Sequence, residues 1–488
     1  MIPSLAGILA CIAVALAGRL WGSATLVGLP AALAFGATAF ATLPALGGSS
    51  PQIYTIFAMS LVVAPFLRPG GIATLASGVR RTPVSLVLVV MIVHASATAM
   101  ILPRLFAGET SVFVPSRQTG EIMETVLAPV SGNISQTAYF VLGALTCLVL
   151  CATLPTGGRL ALIRRGLMLW AILNAGLGAI DLLAKLGGAG DVLEFIRTAS
   201  YAMATDVEHA GFFRIAGGHS EASAFGSAIF ASMVFCMTWA RMTGDRRVGL
   251  LAAASLGLLL LSTSTTAYAC LAIYGAGLAG LALLNLLRGR VRKADLALLY
   301  AVLAGAAIVL AIHLYNNNAF DAVRKLLDAA IFNKASSSSA AERGYWNMRS
   351  FETFLETGGL GVGMGSSRAS NWLIAALSQT GAVGVALQLL LALALLRPLP
   401  QNRPHDPQLR ALHEAARATG LASITAMMLN GSSADPGMLF FICVAVTLSS
   451  RRVLLAQPGA WPTPRALSWR PPVPPGQLPP TQLAHDHG

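Results

Sequence analysis

Charge is what this chain has least of. Only 11% of its 488 residues are charged, while 55% are hydrophobic. An average soluble protein carries about 25% charged residues, so the deficit excludes a water-soluble globular chain: most of the sequence has no water to face. Acidic residues are the scarcest, 20 against 33 Lys and Arg, which leaves a net charge of +13. Cysteine is sparse as well. Cys11, Cys147, Cys151, Cys236, Cys270 and Cys443 all fall inside apolar segments, which argues against a disulfide framework or a metal cluster. Cys147 and Cys151, four residues apart with no His or carboxylate beside them, read as small packing residues. The apolar run from Ile2 to Gly18 lacks a basic stretch before it and a clean cleavage site after it, so it reads as a retained helix rather than a signal peptide.

What the chain has in quantity is apolar runs of membrane-crossing length, about 20 residues each. Candidate spans fall near 4–18, 24–46, 52–67, 82–103, 137–154, 166–186, 223–240, 248–262, 265–286, 296–315, 371–396, 417–430 and 437–450. The expected fold class is an all-α polytopic membrane protein of about 12–13 transmembrane helices, with one of the weak early or late segments re-entrant or half-length. The membrane domain occupies residues 1–452. Residues 453–488, with a proline run over Pro471–Pro480, lack the apolar content to fold and read as a disordered cytoplasmic tail.

The basic residues are clustered rather than spread. Arg68, Arg80 and Arg81; Arg159, Arg164 and Arg165; Arg241, Arg246 and Arg247; Arg288, Arg290, Arg292 and Lys293; Arg397, Arg403 and Arg410; and Arg451 with Arg452 each sit between apolar segments. That is the pattern of cytoplasmic turns facing anionic lipid, not of a nucleic-acid surface. All these turns can lie on one side at once, which puts loops 104–136, 187–222 and 316–370 on the outer, periplasmic side. Loop 316–370 opens with helical spacing of Phe320, Val323, Leu326, Leu327 and Ile331, continues through the serine run Ser336–Ser339, and leads into a second helix from Glu342 to about Glu356.

The informative polar residues lie in these loops. One runs Arg214-Ile215-Ala216-Gly217-Gly218-His219-Ser220-Glu221 directly before a span, and ionisable groups at a membrane mouth are costly unless used or exposed. Arg343, Arg349 and Arg368 occupy the large loop. A guanidinium grips phosphate oxygens through paired hydrogen bonds and keeps its proton, so Arg214, Arg343, Arg349 and Arg368 are the candidate diphosphate-binding residues. Glu221 and His219 are candidate bases, and Arg343 is a candidate catalytic cation. The stretch Gly358-Gly359-Leu360-Gly361-Val362-Gly363-Met364-Gly365 has no preceding strand and no Walker lysine, though free N–H groups there could meet a phosphate. Within the spans His94, Asp181, Lys185 and His313 stand out, and Asp181 and Lys185 can pair across one helical turn.

Three collinear stretches resemble the O-antigen ligase and polysaccharide polymerase superfamily over residues 200–450. The first is Arg214 to Ser223, similar to the family's Arg-x-x-Gly-x-x-x-Glu-Pro-Ser pattern with Ala222 in place of proline. The second is Leu261-Ser262-Thr263-Ser264-Thr265-Thr266-Ala267. The third is Arg343-x-x-Trp346 followed by Gly361-Val362-Gly363-Met364-Gly365-Ser366 and a helix through Gly381 and Gly384. The resemblance implies a metal-independent, cofactor-free, inverting membrane glycosyltransferase in the bacterial inner membrane, acting on an undecaprenyl diphosphate-linked oligosaccharide. It implies that Arg214 and Arg343 hold the diphosphate, with Glu221 at the cavity mouth. Ligases carry a His-Asn pair where this chain has Ser370-Asn371, which favours a repeat-unit polymerase, for instance of exopolysaccharide, over a ligase. Partners would be the lipid-linked substrate, membrane lipid, a chain-length regulator and export proteins, with no nucleic acid. The rivals are an O-antigen-type ligase and a flippase or exporter of the same lipid-linked sugars.

Overall fold

The computed structural model describes residues 1–82, 84–115, 122–201, 212–289, 338–397 and 406–456, together with isolated positions at 203–209, 296–311 and 399. It is a mostly helical multi-pass membrane protein. Among the described residues seven helices are long and apolar enough to cross a bilayer: α5 (Ser85–Leu105), α6 (Ser131–Thr153), α7 (Gly157–Leu186), α8 (Ala222–Thr243), α10 (Thr265–Leu287), α12 (Trp372–Leu396) and α14 (Met438–Ala456). Shorter helices fill the rest: α1 (Leu5–Leu20), α2 (Ala24–Ala32), α3 (Tyr54–Val63), α4 (Gly71–Arg80) and α9 (Arg246–Leu261). Two further helices are α11 (Ser338–Glu356) and α13 (Pro407–Asn430). The predicted amphipathic segment 319–332, the span 296–315 with His313, and the tail beyond 456 lie outside the described residues or are described only at scattered positions.

Helices dominate because hydrocarbon offers no partner for a backbone N–H or C=O, so the groups must pair within the chain. The ends are closed locally. Ser4, Ser23, Thr156, Asp245, Ser264, Asn371 and Asp406 each accept a backbone N–H from the first turn of α1, α2, α7, α9, α10, α12 and α13 respectively. Ser264 belongs to the Ser/Thr-rich stretch, which is thus the cap of a mid-chain helix.

Two expected spans differ from simple crossings. The only α-helix in segment 24–46 is the nine-residue α2, and in 52–67 the ten-residue α3. From 33 to 40 the backbone is not α-helical yet largely buried, with Ala34, Ala37 and Ala39 fully covered. Such backbone survives only where protein satisfies it. Here Gly218 O accepts the Ala37 N–H (2.9 Å), Ala37 O accepts the Ala199 N–H (3.0 Å), and Gln52 and Tyr201 both donate to Gly36 O. Two short strands, β1 (Ile2–Pro3) and β2 (Ala41–Thr42), pair at the same end. A second unexpected element is a hairpin of β3 (Ser111–Pro115) and β4 (Ile122–Val126), joined antiparallel in the loop after α5.

α8 is the central helix: 72% of its apolar window is buried, against 11% for α10. It packs between α7, α9, α10 and α13 and inserts Phe225, Phe230 and Phe235 into the core. Small residues allow the approach. Gly178 of α7 faces the Phe225 ring, and Gly143 of α6 faces Phe441 of α14. The arginine-rich turns meet at one end of this bundle, where Arg164 donates to Gln408 and Arg451 to the Arg397 carbonyl. The candidate site lies at the other end, called here the loop face.

Candidate functional site: an arginine cluster at the loop face

Arg214 is held by its backbone. Lys185 Nζ donates to Arg214 O (2.7 Å) and Thr205 O (2.8 Å). Asp181 Oδ2 accepts the N–H groups of Ala216 (2.7 Å) and Gly217 (3.0 Å), and Arg197 donates twice to Gly217 O (2.6 and 3.1 Å). The three side chains also pair with one another, Lys185 to Asp181 at 3.2 Å and Arg197 to Asp181 at 3.5 Å. All three are buried. The predicted Asp181–Lys185 pair therefore forms, and it anchors residues 214–217. Arg197 was not foreseen; nothing local in its sequence marks it.

Arg343 and Arg368 are brought together by α11. Asn347 and Ser350 lie one and two turns beyond Arg343 on the same helix face. Asn347 Oδ1 accepts the Ser370 N–H (2.8 Å), and Ser350 Oγ donates to Arg368 O (3.1 Å). The face that begins with Arg343 thus runs along the chain carrying Arg368.

These arginines share one electrostatic neighbourhood with Glu221. Burial lowers the Arg214 guanidinium from its ordinary value; Glu221 opposes that shift and Arg343 adds to it. Burial also lowers Arg368, again against the pull of Glu221. The Nε atoms of Arg214 and Arg368 are sealed from solvent with no hydrogen-bond acceptor. Glu221 caps the start of α8 from an extended backbone, and Ser223 Oγ donates to its Oε1 (2.5 Å). Among the described residues Glu221 is the carboxylate felt by both Arg214 and Arg368, and Arg343 adds positive charge beside Arg214.

Arg349 stands apart. It pairs with Glu356 (2.8 Å), Glu352 (3.1 Å) and Glu124 of β4 (3.5 Å). Three carboxylates already compensate it, so its expected place among the diphosphate ligands is not where the fold puts it. With Tyr345 donating to Glu124 (2.7 Å), and with Tyr345 and Trp346 against the Phe113 ring, it fastens α11 to the hairpin.

His219 is also relocated. Rather than a solvated loop histidine it is 8% exposed. Its Nε2 lies 3.2 Å from Asn174 Oδ1, whose amide donates to Ser232, and its Nδ1 sits where a side chain on Gly36 would be. Burial and the charge of Arg197 push it down to about 4. A neutral imidazole packed on both nitrogens braces the buried chain between α2 and α3, out of bulk solvent.

Most N–H groups of the glycine-rich stretch are already bonded. α12 is broken at Gly381 (φ 66°, ψ −174°), and the stretch threads the break. Val362 and Gly363 donate to Ser378 O and Gln379 O, and Gly359 O accepts from Ala382. Gly365 donates to the Gln379 side chain, and His94 Nε2 meets Thr380 O at 2.9 Å. A Cβ on Gly361 would lie 2.8 Å from Ser378 O, and its φ of 80° suits glycine. The stretch is therefore a helix plug that positions Arg368, not a phosphate cradle.

One further acidic residue was passed over. Asp435, between α13 and α14, accepts the Gly437 N–H (2.8 Å), and burial pushes its carboxyl up to about 6. Among the described residues no group of three or more His, Cys, Asp or Glu is placed to hold a metal ion. No family model, curated protein or solved structure matches this chain.

Proposed function

We propose that the protein is a polysaccharide repeat-unit polymerase of the inner membrane. It transfers glycan from a polyprenyl diphosphate carrier to a hydroxyl of another lipid-linked repeat. The positive-inside bias of the arginine-rich turns supports a periplasmic loop face, where no nucleoside triphosphate is at hand and the diphosphate ester itself supplies the driving force. The observation that carries this reading is that Arg214 and Arg368 share Glu221 as an electrostatic partner, while Arg343 adds a positive charge beside Arg214.

In the reaction, the acceptor oxygen attacks the anomeric carbon from the side opposite the diphosphate. The new C–O bond forms as the carbon–phosphate-oxygen bond breaks, with inversion. The proton of the acceptor hydroxyl passes to Glu221, which Ser223 orients. The departing diphosphate takes the bonding electrons, and the fixed guanidiniums stabilise that charge without reorganising.

Ser370 before Asn371 favours polymerisation over ligation through the resemblance described above. The test is elongation by purified protein given lipid-linked repeats. The wild type should yield a ladder of longer chains, and Arg214→Ala and Arg343→Ala should each leave single repeats while eluting as folded protein. Ladders from both variants would refute the assignment.

A further inference from the structure

The base proposed for the transfer is steadied from outside its own helix. Glu221 occupies the N-cap position of α8, yet its side chain accepts none of the first-turn N–H groups. Its Oε1 accepts from Ser223 Oγ instead (2.5 Å). A helix start without a side-chain cap frays more readily. Asn430, the last residue of α13, supplies the missing hold. Its Nδ2 donates to Ser227 Oγ (3.0 Å) and to Ser223 O (3.5 Å), and Ser227 Oγ itself donates to Ser223 O (3.0 Å). The amide thereby ties the residue that orients Glu221 to the end of another helix.

A second asparagine fixes the place of the first. Asn371 uses both ends of its amide. Its Oδ1 accepts the N–H groups of Leu373 (2.9 Å) and Ile374 (3.2 Å) at the start of α12, and its Nδ2 donates to Met428 O (2.7 Å) in the last turn of α13. That carbonyl is one of those a helix end leaves without an intrahelical partner. The third is Asn347 of α11, whose Oδ1 accepts the N–H of Ser370, the residue before Asn371 (2.8 Å). Asn347 lies one turn from Arg343. The path is continuous: from the arginine helix to the start of α12, on to the end of α13, and on to the first turn of α8. Each step is a short neutral amide, so it sets a distance without adding charge beside the guanidiniums.

We infer that Asn347, Asn371 and Asn430 are positioning residues that set the Glu221 carboxylate against Arg343 and its neighbouring guanidiniums. The name base rests on the polymerase reading, whereas the placement does not. Glu221 is the carboxylate that both Arg214 and Arg368 feel. Released from its hold, it can turn onto those guanidiniums and compete with a bound diphosphate.

The test is a mutant cycle on the affinity of farnesyl diphosphate for the full chain in nanodiscs of phosphatidylcholine, which adds no anionic headgroup. Asn430→Ala removes the donor to Ser227 and Ser223. Asn371→Ser keeps a hydroxyl to cap α12 and loses only the donor to Met428. Each should weaken binding about fivefold in the otherwise native protein, the effect of one hydrogen bond of ~1 kcal/mol. In the Glu221→Gln protein each should change affinity by less than about twofold, because no carboxylate is left to misplace. A general loosening of α8 against α13 would act alike in both backgrounds. Equal losses in both, no loss in either, or no binding of farnesyl diphosphate by the native protein would overturn the proposal. Thermal melts confirm that each variant is folded, and Asn371→Ser, the milder change, decides alone where Asn430→Ala does not fold. Elongation of lipid-linked repeats is scored in parallel. Background-dependent losses without elongation would remove the polymerase reading and leave the positioning of Glu221 standing.

Discussion

Lys185 Nζ donates to the carbonyl of Arg214 at 2.7 Å, and the same nitrogen pairs with Asp181, whose carboxylate holds the next two backbone N–H groups of that segment. A buried charge network thus decides where a candidate phosphate-binding guanidinium leaves the backbone. Removing Asp181 would strand Lys185 as a buried cation with no carboxylate, Arg197 keeping its pair with Asp191, and a stranded buried charge costs about 3–5 kcal/mol. Asp181→Ala should therefore melt well below wild type or fail to fold. An equal melting temperature in detergent would show that the network bears no stability.

The glycine plug makes a second prediction. At Gly381 a Cβ would lie 2.4 Å from Leu360 O, and φ is 66°; at Gly188 φ is 69° but nothing lies within 4 Å. Gly188→Ala should cost only the left-handed penalty, about 1–2 kcal/mol. Gly381→Ala should cost clearly more, because backbone on both sides must move. Paired thermal melts read the difference, and equal losses would contradict the close-approach argument.

His219 gives a pH dependence. Its ordinary value is 6.5 and burial, with Arg197, lowers it to about 4 in the folded protein. Asn174, Phe225 and Gly36 face it from α7, α8 and the chain between α2 and α3, and none carries charge. The unfolded chain takes up a proton near pH 6.5, the folded one only near 4, so stability falls as pH drops through that window. The full loss is roughly 3 kcal/mol. Melting curves from pH 7 to 4 should show the decline, and His219→Gln should flatten it. A decline of the same size in His219→Gln would place the effect elsewhere.

Much of the fold was legible because a continuous apolar run over 85–105 or 131–153 has only one way to satisfy its backbone in hydrocarbon. Segment 24–46 is as apolar, but apolar content does not separate a helix from buried irregular chain. What breaks it is contact with Gly218 and Ala199, far away in sequence. The same limit governs the site. Arg343 and Arg349 look alike on paper, and what separates them is the face of α11 that meets a hairpin unseen in the hydropathy. Asp435 sits in Ser432-Ser433-Ala434-Asp435-Pro436-Gly437, which reads as an ordinary solvated turn; only the clamping of Ala434 by Trp372 and Gln379 of α12 shows otherwise. Arg214 and Glu221 were visible because they stand at a span entrance, where charge is expensive.

Arg349 separates specific anion recognition from general basicity. It lies on the same helix as Arg343 but spends its charge on Glu124, Glu352 and Glu356. Arg349→Ala should loosen the hairpin, seen as faster proteolysis near residues 111–126, and leave diphosphate affinity nearly unchanged. A large affinity loss with an intact hairpin would put Arg349 back in the site.

The most direct measurement is binding of a short-chain polyprenyl diphosphate to the purified protein, wild type against Arg214→Ala, Arg343→Ala and Arg368→Ala. Loss of one charge-assisted contact is worth about 1.5–3 kcal/mol, so each variant should bind at least about tenfold more weakly, while Arg349→Ala stays close to wild type. Undiminished binding by all three variants would contradict the account.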